Sequence, residues 1–431
     1  MAIEKQTVVP AERLLGEIQV PGDKSISHRS IMIGSLAEGT TMVHGFLQGE
    51  DNYATLKAFR SMGVQIDELT DGRLQISGNG LHGLREPGDV IDCGNSGTTM
   101  RLLTGLLSGQ SFFSVLTGDR YLRKRPMKRV VGPLSTMGAR IWGRNGGELA
   151  PLAIQGGGLN GVSFDSPIAS AQIKSALLLA GLYAKGETIV REPHLSRDHS
   201  ERMLRYFGAD IRPFSGGVTI APQPRLRAAE VFVPGDISSA AFFLVAALIV
   251  PDSELLIRNV GVNPTRSGII DILQAMGGDI TLTNPRELSG EPVADLLVKS
   301  SQLKGIRIDG SLIPRAIDEL PVVSVAAACA EGTTVIADAR ELRVKETDRI
   351  AAMTEELSKL GVSVQPQDDG MIIPGGATFS GGQIDSHGDH RIAMSMAVAA
   401  LRATAEVQVD DTACTATSFP NFWQLLQQIH S

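Results

Sequence analysis

The sequence predicts an α/β (α+β) chain of two domains, each holding three copies of one supersecondary unit. Three observations carry that prediction. A short phrase recurs at near-even spacing, a set of small-residue helices alternates with it, and one strand-and-turn phrase appears both near the N-terminus and near the middle.

The recurring phrase reads MGVQI (62–66), MGARI (137–141), FGADI (207–211), MGGDI (276–280) and LGVSV (360–364). Its glycines fall at 63, 138, 208, 277 and 361, in steps of 75, 70, 69 and 84 residues. A helix-like stretch such as YATLKAFRS or SGIIDILQA precedes it, and a β-branched strand follows. Glycine just past a helix end is the expected C-cap, so each phrase reads as helix, cap and strand. A period this long marks a repeated domain-sized unit and not a solenoid turn.

The alternating segments are small-residue helices led by polar residues. In chain order they are DKSISHRSIMIGSLAEGTT, NSGTTMRLLTGLL, SAQIKSALLLAGLYAKGET, DISSAAFFLVAALIV, DELPVVSVAAACAEGTT and GDHRIAMSMAVAALRA, six in all. Their Ala, Gly and Ser content predicts close helix packing, and their polar starts leave helix N-termini available to an anion. Six units exceed one comfortable core, so three per domain is the natural division. The strand phrases IQVPGD (18–23) and VFVPGD (231–236) are the expected chain crossings. One domain then spans 21–234, the other 1–20 plus 235–431.

Composition bounds the function. The chain of 431 residues is 42% hydrophobic, 20% charged and only 4% aromatic, with formal net charge −7. That balance argues against a nucleic-acid binder or general polyanion binder, so any anion site is a local cluster of Lys and Arg. Three cysteines, Cys93, Cys329 and Cys414, form no CxxC pair and no zinc spacing. The longest apolar run, AAFFLVAALIV (240–250), is too short to span a bilayer and reads as a buried helix. A soluble cytoplasmic protein with no membrane partner is expected.

Cations, hydroxyls and acids gather at the helix starts. PGDKSISHRS places Lys24, Ser25, His28 and Arg29 where a phosphate or carboxylate would meet backbone N–H groups and the positive end of the dipole. A solvated helix end gives the same pattern. In DCGNSGTTMR (92–101), Gly94 and Gly97 flank Asn95 and Ser96 at a strand-to-helix turn. That suits close backbone approach to a ligand, or simply a tight turn. GDRYLRKRPMKRV packs six cations into 120–130, with Pro126 fixing the backbone beside Arg125. A solvated face is the ordinary reading of such a run; an arginine held there would bind an anion bidentately.

Ser170 and Gln172 begin an otherwise apolar helix, where Ser170 would serve as a cap. SRDHSERML opens another helix with Ser196, Arg197 and Asp198. Asp318 and Glu319 precede a long apolar helix, either as dipole partners or as a general base beside cations. In ELRVKETDRI, Lys345 and Arg349 stand at i and i+4, which would put them on one helix face with Glu346 nearby. In SHGDHRIAMS, His387, Asp389 and His390 invite a metal reading, but no third-segment ligand with HExxH-type spacing appears. A metal is therefore not expected there.

Taken together, PGDKSISHR, GNSGTTMR, RKRPM, SAQIKSALLLAG, RDHSERML, RVKETDRI, GDHRIAMS and SFPNFW closely resemble the 5-enolpyruvylshikimate-3-phosphate synthase family, from about residue 10 to the C-terminus. The resemblance implies the two-domain enolpyruvyl transferase fold, six βαβαββ units, three per domain, with a cleft between domains that closes on substrate. It implies transfer of the enolpyruvyl group of phosphoenolpyruvate to the 5-hydroxyl of shikimate 3-phosphate with release of phosphate. The route is addition and then elimination through a tetrahedral ketal, without metal or organic cofactor, in a monomer. This is the sixth step toward chorismate and the aromatic amino acids.

By the same resemblance, Lys24, Ser25, Arg29, Ser170 and Gln172 contact shikimate 3-phosphate, and Lys24 and Gln172 also reach phosphoenolpyruvate. Gly97, Arg125, Arg349 and Arg391 match the phosphoenolpyruvate site. Asp318 matches the carboxylate that takes the 5-hydroxyl proton, Lys345 lies near that hydroxyl, and Glu346 matches a proton donor to the methylene carbon. Two ligands bring two phosphates and two carboxylates, and these cations would answer that charge.

Thr417 before SFP, Glu341 where some members carry Asn, and Ser170-Ala171-Gln172 in place of Ser-Ser-Gln resemble a divergent bacterial subgroup that includes glyphosate-tolerant enzymes. The sister transferase acting on UDP-N-acetylglucosamine uses a loop cysteine as acid, and residues 118–130 contain none. A catalytically dead binding protein would lose the proton-transfer groups, whereas Asp318 and Glu346 are both present.

Overall fold

The computed structural model describes residues 4–70 and 72–430 of the chain. It divides into two compact units. One comprises Met1–Pro21, Pro234–Arg286 and Pro292–Ser431, the other Gly22–Val233 and Glu287–Glu291. Each has its own apolar core.

The described residues form six sheets, five of four strands and one of three. In the unit around 22–233, one sheet orders as Glu230–Phe232, Glu38–His44, Leu74–Asn79 and Gln65–Glu68. A second orders as Ile91–Asp92, Phe113–Thr117, Leu149–Gln155 and Arg140–Gly143, and a third as Ser163–Asp165, Thr188–Arg191, Gly217–Ile220 and Ile211–Phe214. In each, the first two strands are parallel and the remaining pairs antiparallel. A parallel pair needs a crossover, and a buried helix supplies it in two of the three sheets. In the first sheet, Glu230–Phe232 comes from the far end of the unit.

The other unit repeats the plan. Leu15–Gln19 lies parallel to Glu254–Gly261, and Arg307–Ile308 parallel to Thr333–Ile336. Its third sheet has Gly382–Asp385 parallel to Val407–Asp410, with the N-terminal Lys5–Val8 antiparallel at the other edge. Lys5–Val8 takes the third place in this sheet, and among the described residues no fourth strand led by a glycine phrase joins it.

The six small-residue helices are Lys24–Leu36, Gly97–Ser108, Ala171–Gly181, Ile237–Ile249, Leu320–Cys329 and His390–Ala400. They are buried along most of their length, and Ile237–Ile249 is buried throughout. Small side chains allow contact at backbone distance. A Cβ on Gly105 would stand 2.1 Å from the Ala176 carbonyl oxygen. Aspartates cap two of these helices at the twin VPGD phrases. Asp23 accepts from Ile26 N–H and Asp236 from Ser238 N–H.

The five phrase glycines take φ of +85°, +95°, +96°, +95° and +92°. At Gly208 the glycine N–H donates to Arg205 O and the Ala209 N–H to Leu204 O, each at 2.9 Å. The same pairing recurs at the other four, so each is a Schellman cap. Nothing stands closer to a Cβ on Gly208 than Arg225 O at 3.7 Å, so the cost of a side chain there is backbone strain alone. Gly208→Ala is therefore expected to lose about 1–2 kcal/mol, read as a lower urea midpoint at unchanged m value. An unchanged midpoint would contradict the cap.

Candidate functional site

In the unit around 22–233, Lys24 opens its helix directly after the Asp23 cap. Its Nζ donates to Asp51 Oδ2 at 3.1 Å. Thr99 Oγ1 donates to the Asp51 carbonyl and to Ser96 Oγ, so Lys24 is tied to the start of Gly97–Ser108. Ser96 caps that helix through Thr99 N–H. Ser25, next to Lys24, is half-buried.

His28 packs and does not face solvent. It is fully buried, its Nδ1 pairs with Thr55 Oγ1 at 2.8 Å, and Thr55 pairs with Thr99 at 2.7 Å. Burial, then the charges of Lys24 and Arg29, hold its pKa well below the usual range, so the ring is neutral.

Arg29 is buried with each guanidinium nitrogen engaged. Nε donates to Ser200 Oγ and Nη2 to Ser175 Oγ, both at 2.7 Å, and Nη1 to Ser25 O at 3.0 Å. Burial brings its pKa down to about 10, against the opposing pull of Glu201, Asp23 and Glu291.

Around Gly97, Arg125 Nη2 donates to Asn95 Oδ1 at 2.8 Å. Gln172 accepts from Arg101 Nη1 at 2.6 Å and donates to Thr98 Oγ1 at 3.2 Å. A Cβ on Gly97 would stand 2.9 Å from Arg101 Nη1 and 3.1 Å from Arg125 Nη1. Gly97, Arg125 and Gln172 therefore share one spot with Arg101, which the sequence reading left unassigned although it sits in the quoted GNSGTTMR. Ser170 occupies the N-cap position of Ala171–Gly181, but its hydroxyl makes no capping bond.

Two residues after Gln172 in the same helix, Lys174 is 1% exposed and pairs with Glu192 and Glu201, each at 2.7 Å. It also donates to Ser196 O at 3.2 Å, which anchors the segment leading to Arg197. Burial opposes the lysine charge, but the two carboxylates outweigh it and raise its pKa.

In the other unit, Asp318 lies just before Leu320–Cys329. Its Oδ1 accepts from Lys345 Nζ at 3.1 Å and from Arg349 Nη1 at 3.4 Å. Arg349 also donates to Glu346 Oε2 at 2.7 Å and, through Nε, to Asp389 Oδ2 at 2.8 Å. Asp389 caps His390–Ala400 by accepting from Arg391 N–H, and Arg391 Nη1 donates to the Asp318 carbonyl at 2.9 Å. Asp318, Lys345, Glu346, Arg349 and Arg391 thus form one cluster with Asp389. Arg349 is 1% exposed. Burial works against its charge, yet Asp389, Glu346 and Asp318 together hold its pKa above the ordinary value.

One expectation is corrected here. Lys345 and Arg349 do not share a helix face, because the helix begins at Arg349, after the Asp348 cap, and Lys345 lies upstream in extended backbone. They meet instead at Asp318 Oδ1.

Two of the three residues that invited a metal reading, His387 and Asp389, are engaged by other side chains. Asp389 is committed to Arg349, and His387 Nε2 pairs with Glu356 Oε1 at 2.6 Å. Glu355, Glu356 and His387 are near enough to hold an ion, but Lys359 Nζ reaches both carboxylates, at 3.1 and 2.8 Å. The cysteines are not acids in waiting. Burial pushes the Cys93 thiol far up and those of Cys329 and Cys414 to about 12.

Residues 8–426 match the family model described as EPSP synthase (3-phosphoshikimate 1-carboxyvinyltransferase). A Syntrophotalea carbinolica protein named 3-phosphoshikimate 1-carboxyvinyltransferase is 69% identical over 426 residues, 99% of each chain. A Pelobacter propionicus protein of the same name is 66% identical over 99% of this chain and 98% of its own. The solved EPSP synthase from Acinetobacter baumannii superposes with TM-score 0.89 at 49% identity, covering 99% of this chain and 98% of that one.

Proposed function

The chain belongs to the EPSP synthase family, and on that premise we propose how its two residue clusters carry 3-phosphoshikimate 1-carboxyvinyltransferase chemistry. The enolpyruvyl group of phosphoenolpyruvate passes to the 5-hydroxyl of shikimate 3-phosphate. A proton adds to the methylene carbon of phosphoenolpyruvate while the hydroxyl oxygen bonds to the neighbouring carbon, giving a tetrahedral ketal. Loss of phosphate and of one methyl proton then restores the double bond. Neither a metal nor an organic cofactor is invoked.

The single observation that carries the residue assignment is the convergence of Lys345 and Arg349 on Asp318, with Glu346 held by the same Arg349. Asp318 is the base for the 5-hydroxyl proton, held in place by Lys345 Nζ and Arg349 Nη1 on its Oδ1. Lys345 orients that hydroxyl, Glu346 delivers the proton to the methylene carbon and takes one back, and Lys24 assists as acid. Arg349 and Arg391 serve phosphoenolpyruvate together with Lys24, Gly97, Arg125 and Gln172. Lys24, Ser25, Arg29, Ser170, Gln172, Asp318 and Lys345 serve shikimate 3-phosphate. Arg29, with every nitrogen engaged, acts by shaping the Ser25, Ser175 and Ser200 surface and through its charge.

In the same reading the domains are 21–234 and 1–20 plus 235–431, and the protein works as a cytoplasmic monomer without nucleic-acid partners. Among the described residues no helix is long and apolar enough to cross a membrane. Phosphate release that requires both substrates, with Asp318→Ala assayed alongside, tests the function. Release from phosphoenolpyruvate alone, or full activity of the variant, would contradict it.

Gly97→Ala gives a finer test. The added methyl would press on the ends of Arg101 and Arg125, which are flexible enough to shift without unfolding the chain. The expected result is a KM for phosphoenolpyruvate raised by about 5- to 50-fold, from displaced charge-assisted hydrogen bonds. The KM for shikimate 3-phosphate should move less. Equal KM changes for both substrates would count against assigning Gly97 and Arg125 to phosphoenolpyruvate.

A further inference from the structure

Glu319 follows Asp318, is 1% exposed, and has no task in the assignment above. It stands at the N-cap position of Leu320–Cys329, yet its side chain makes no capping bond. Its Oε1 accepts from the Ser238 hydroxyl and lies 3.7 Å from Arg391 Nη1. Its Oε2 is buried with no hydrogen-bond partner. Ser238 Oγ in turn accepts from Arg266 Nη2 at 2.6 Å, and the same nitrogen donates to Asp236 Oδ1 at 3.0 Å. A buried chain of polar groups thus runs from Asp236 through Arg266, Ser238 and Glu319 to Arg391, linking the starts of three buried helices.

Burying a carboxylate is costly unless cations and donors compensate it. A helix cap would need neither the charge nor the depth of Glu319. What the carboxylate does is hold one edge of Arg391. Nη1 is fixed by the Asp318 carbonyl at 2.9 Å and faces Glu319. Among the described residues, Arg391 Nε and Nη2 have no protein acceptor. Those two nitrogens form the side-on fork that matches a carboxylate or phosphate.

We propose that Glu319 is a positioning residue for phosphoenolpyruvate: with the Asp318 carbonyl it pins Arg391 Nη1 and leaves the Nε/Nη2 edge for the incoming anion. It acts through Arg391 and touches no substrate. The role rests on the assignment of Arg391 to phosphoenolpyruvate made above.

Steady-state kinetics of the whole protein test it, with wild type, Glu319→Gln and Ser238→Ala compared. Glu319→Gln keeps shape and an acceptor but removes the charge. Its KM for phosphoenolpyruvate is expected to rise roughly tenfold, the size of one charge-assisted contact. Its kcat should stay within about twofold and its KM for shikimate 3-phosphate should hold, since neither depends on how that single contact is held. Ser238→Ala keeps the charge and loosens its hold, so a smaller rise in the same KM is expected. A merely structural role would lower the melting temperature and leave the KM for phosphoenolpyruvate alone, or raise both KM values together; either result overturns the proposal. A wild type that releases no phosphate would overturn the activity and this role with it. An active wild type with Glu319→Gln unchanged would overturn this role alone.

Discussion

Asp318→Asn is expected to lower kcat by about 10²–10⁴-fold, the contribution of a positioned general base. The substitution preserves shape and leaves an acceptor for Lys345 and Arg349, so substrate binding should change far less than turnover. Arg349 keeps Glu346 and Asp389 as partners, which holds the cluster together without the Asp318 charge. The measurement is kcat from initial rates of phosphate release, with the melting temperature taken in parallel. An unaltered kcat would remove Asp318 from the chemistry. A fall in kcat matched by loss of the fold would make its role structural.

The largest expected effect on stability belongs to Lys174→Met. The lysine compensates two buried carboxylates, Glu192 and Glu201, and its removal leaves both without their cation. Breaking such a buried pair from one side costs about 3–5 kcal/mol. Burial already raises the Glu201 pKa despite the lysine. Adding Glu201→Gln to the methionine variant should therefore recover part of the loss, because one uncompensated charge disappears. Urea unfolding midpoints of the single and double variants decide it. A single-variant loss under about 1 kcal/mol, on the scale of an exposed pair, would mean that water reaches the site.

The repeat was legible because it depends on local rules. A Schellman cap needs positive φ and therefore glycine, so five caps left five glycines in register. The buried helices were legible because their residues are small and apolar. The closing of the last sheet by Lys5–Val8 was not legible, since it pairs residues about four hundred positions apart and no local pattern marks it.

The site shows the same division. Lys24, Arg125, Lys345, Arg349 and Arg391 stood out as cations at helix starts or in a dense basic run. The acids that answer them did not. Asp51 at a helix start has an ordinary dipole explanation, and Asp389 invited a metal reading, yet each holds a site cation. Lys345 and Arg349 were placed on one helix because spacing carries no information about where a helix begins; the Asp348 cap decides that. The consequence is energetic. The Asp318 cluster is neutralised internally before any substrate arrives, so binding an anion must improve on contacts that Arg349 already makes.

Shikimate 3-phosphate and phosphoenolpyruvate bearing heavy oxygen at the bridging position between carbon and phosphorus give the most direct test of the account. Transfer of the enolpyruvyl group breaks the carbon–oxygen bond, so the released phosphate must carry the label, in amounts equal to the enol ether formed. Unlabelled phosphate would show cleavage at phosphorus and would contradict the transferase chemistry assigned to this chain.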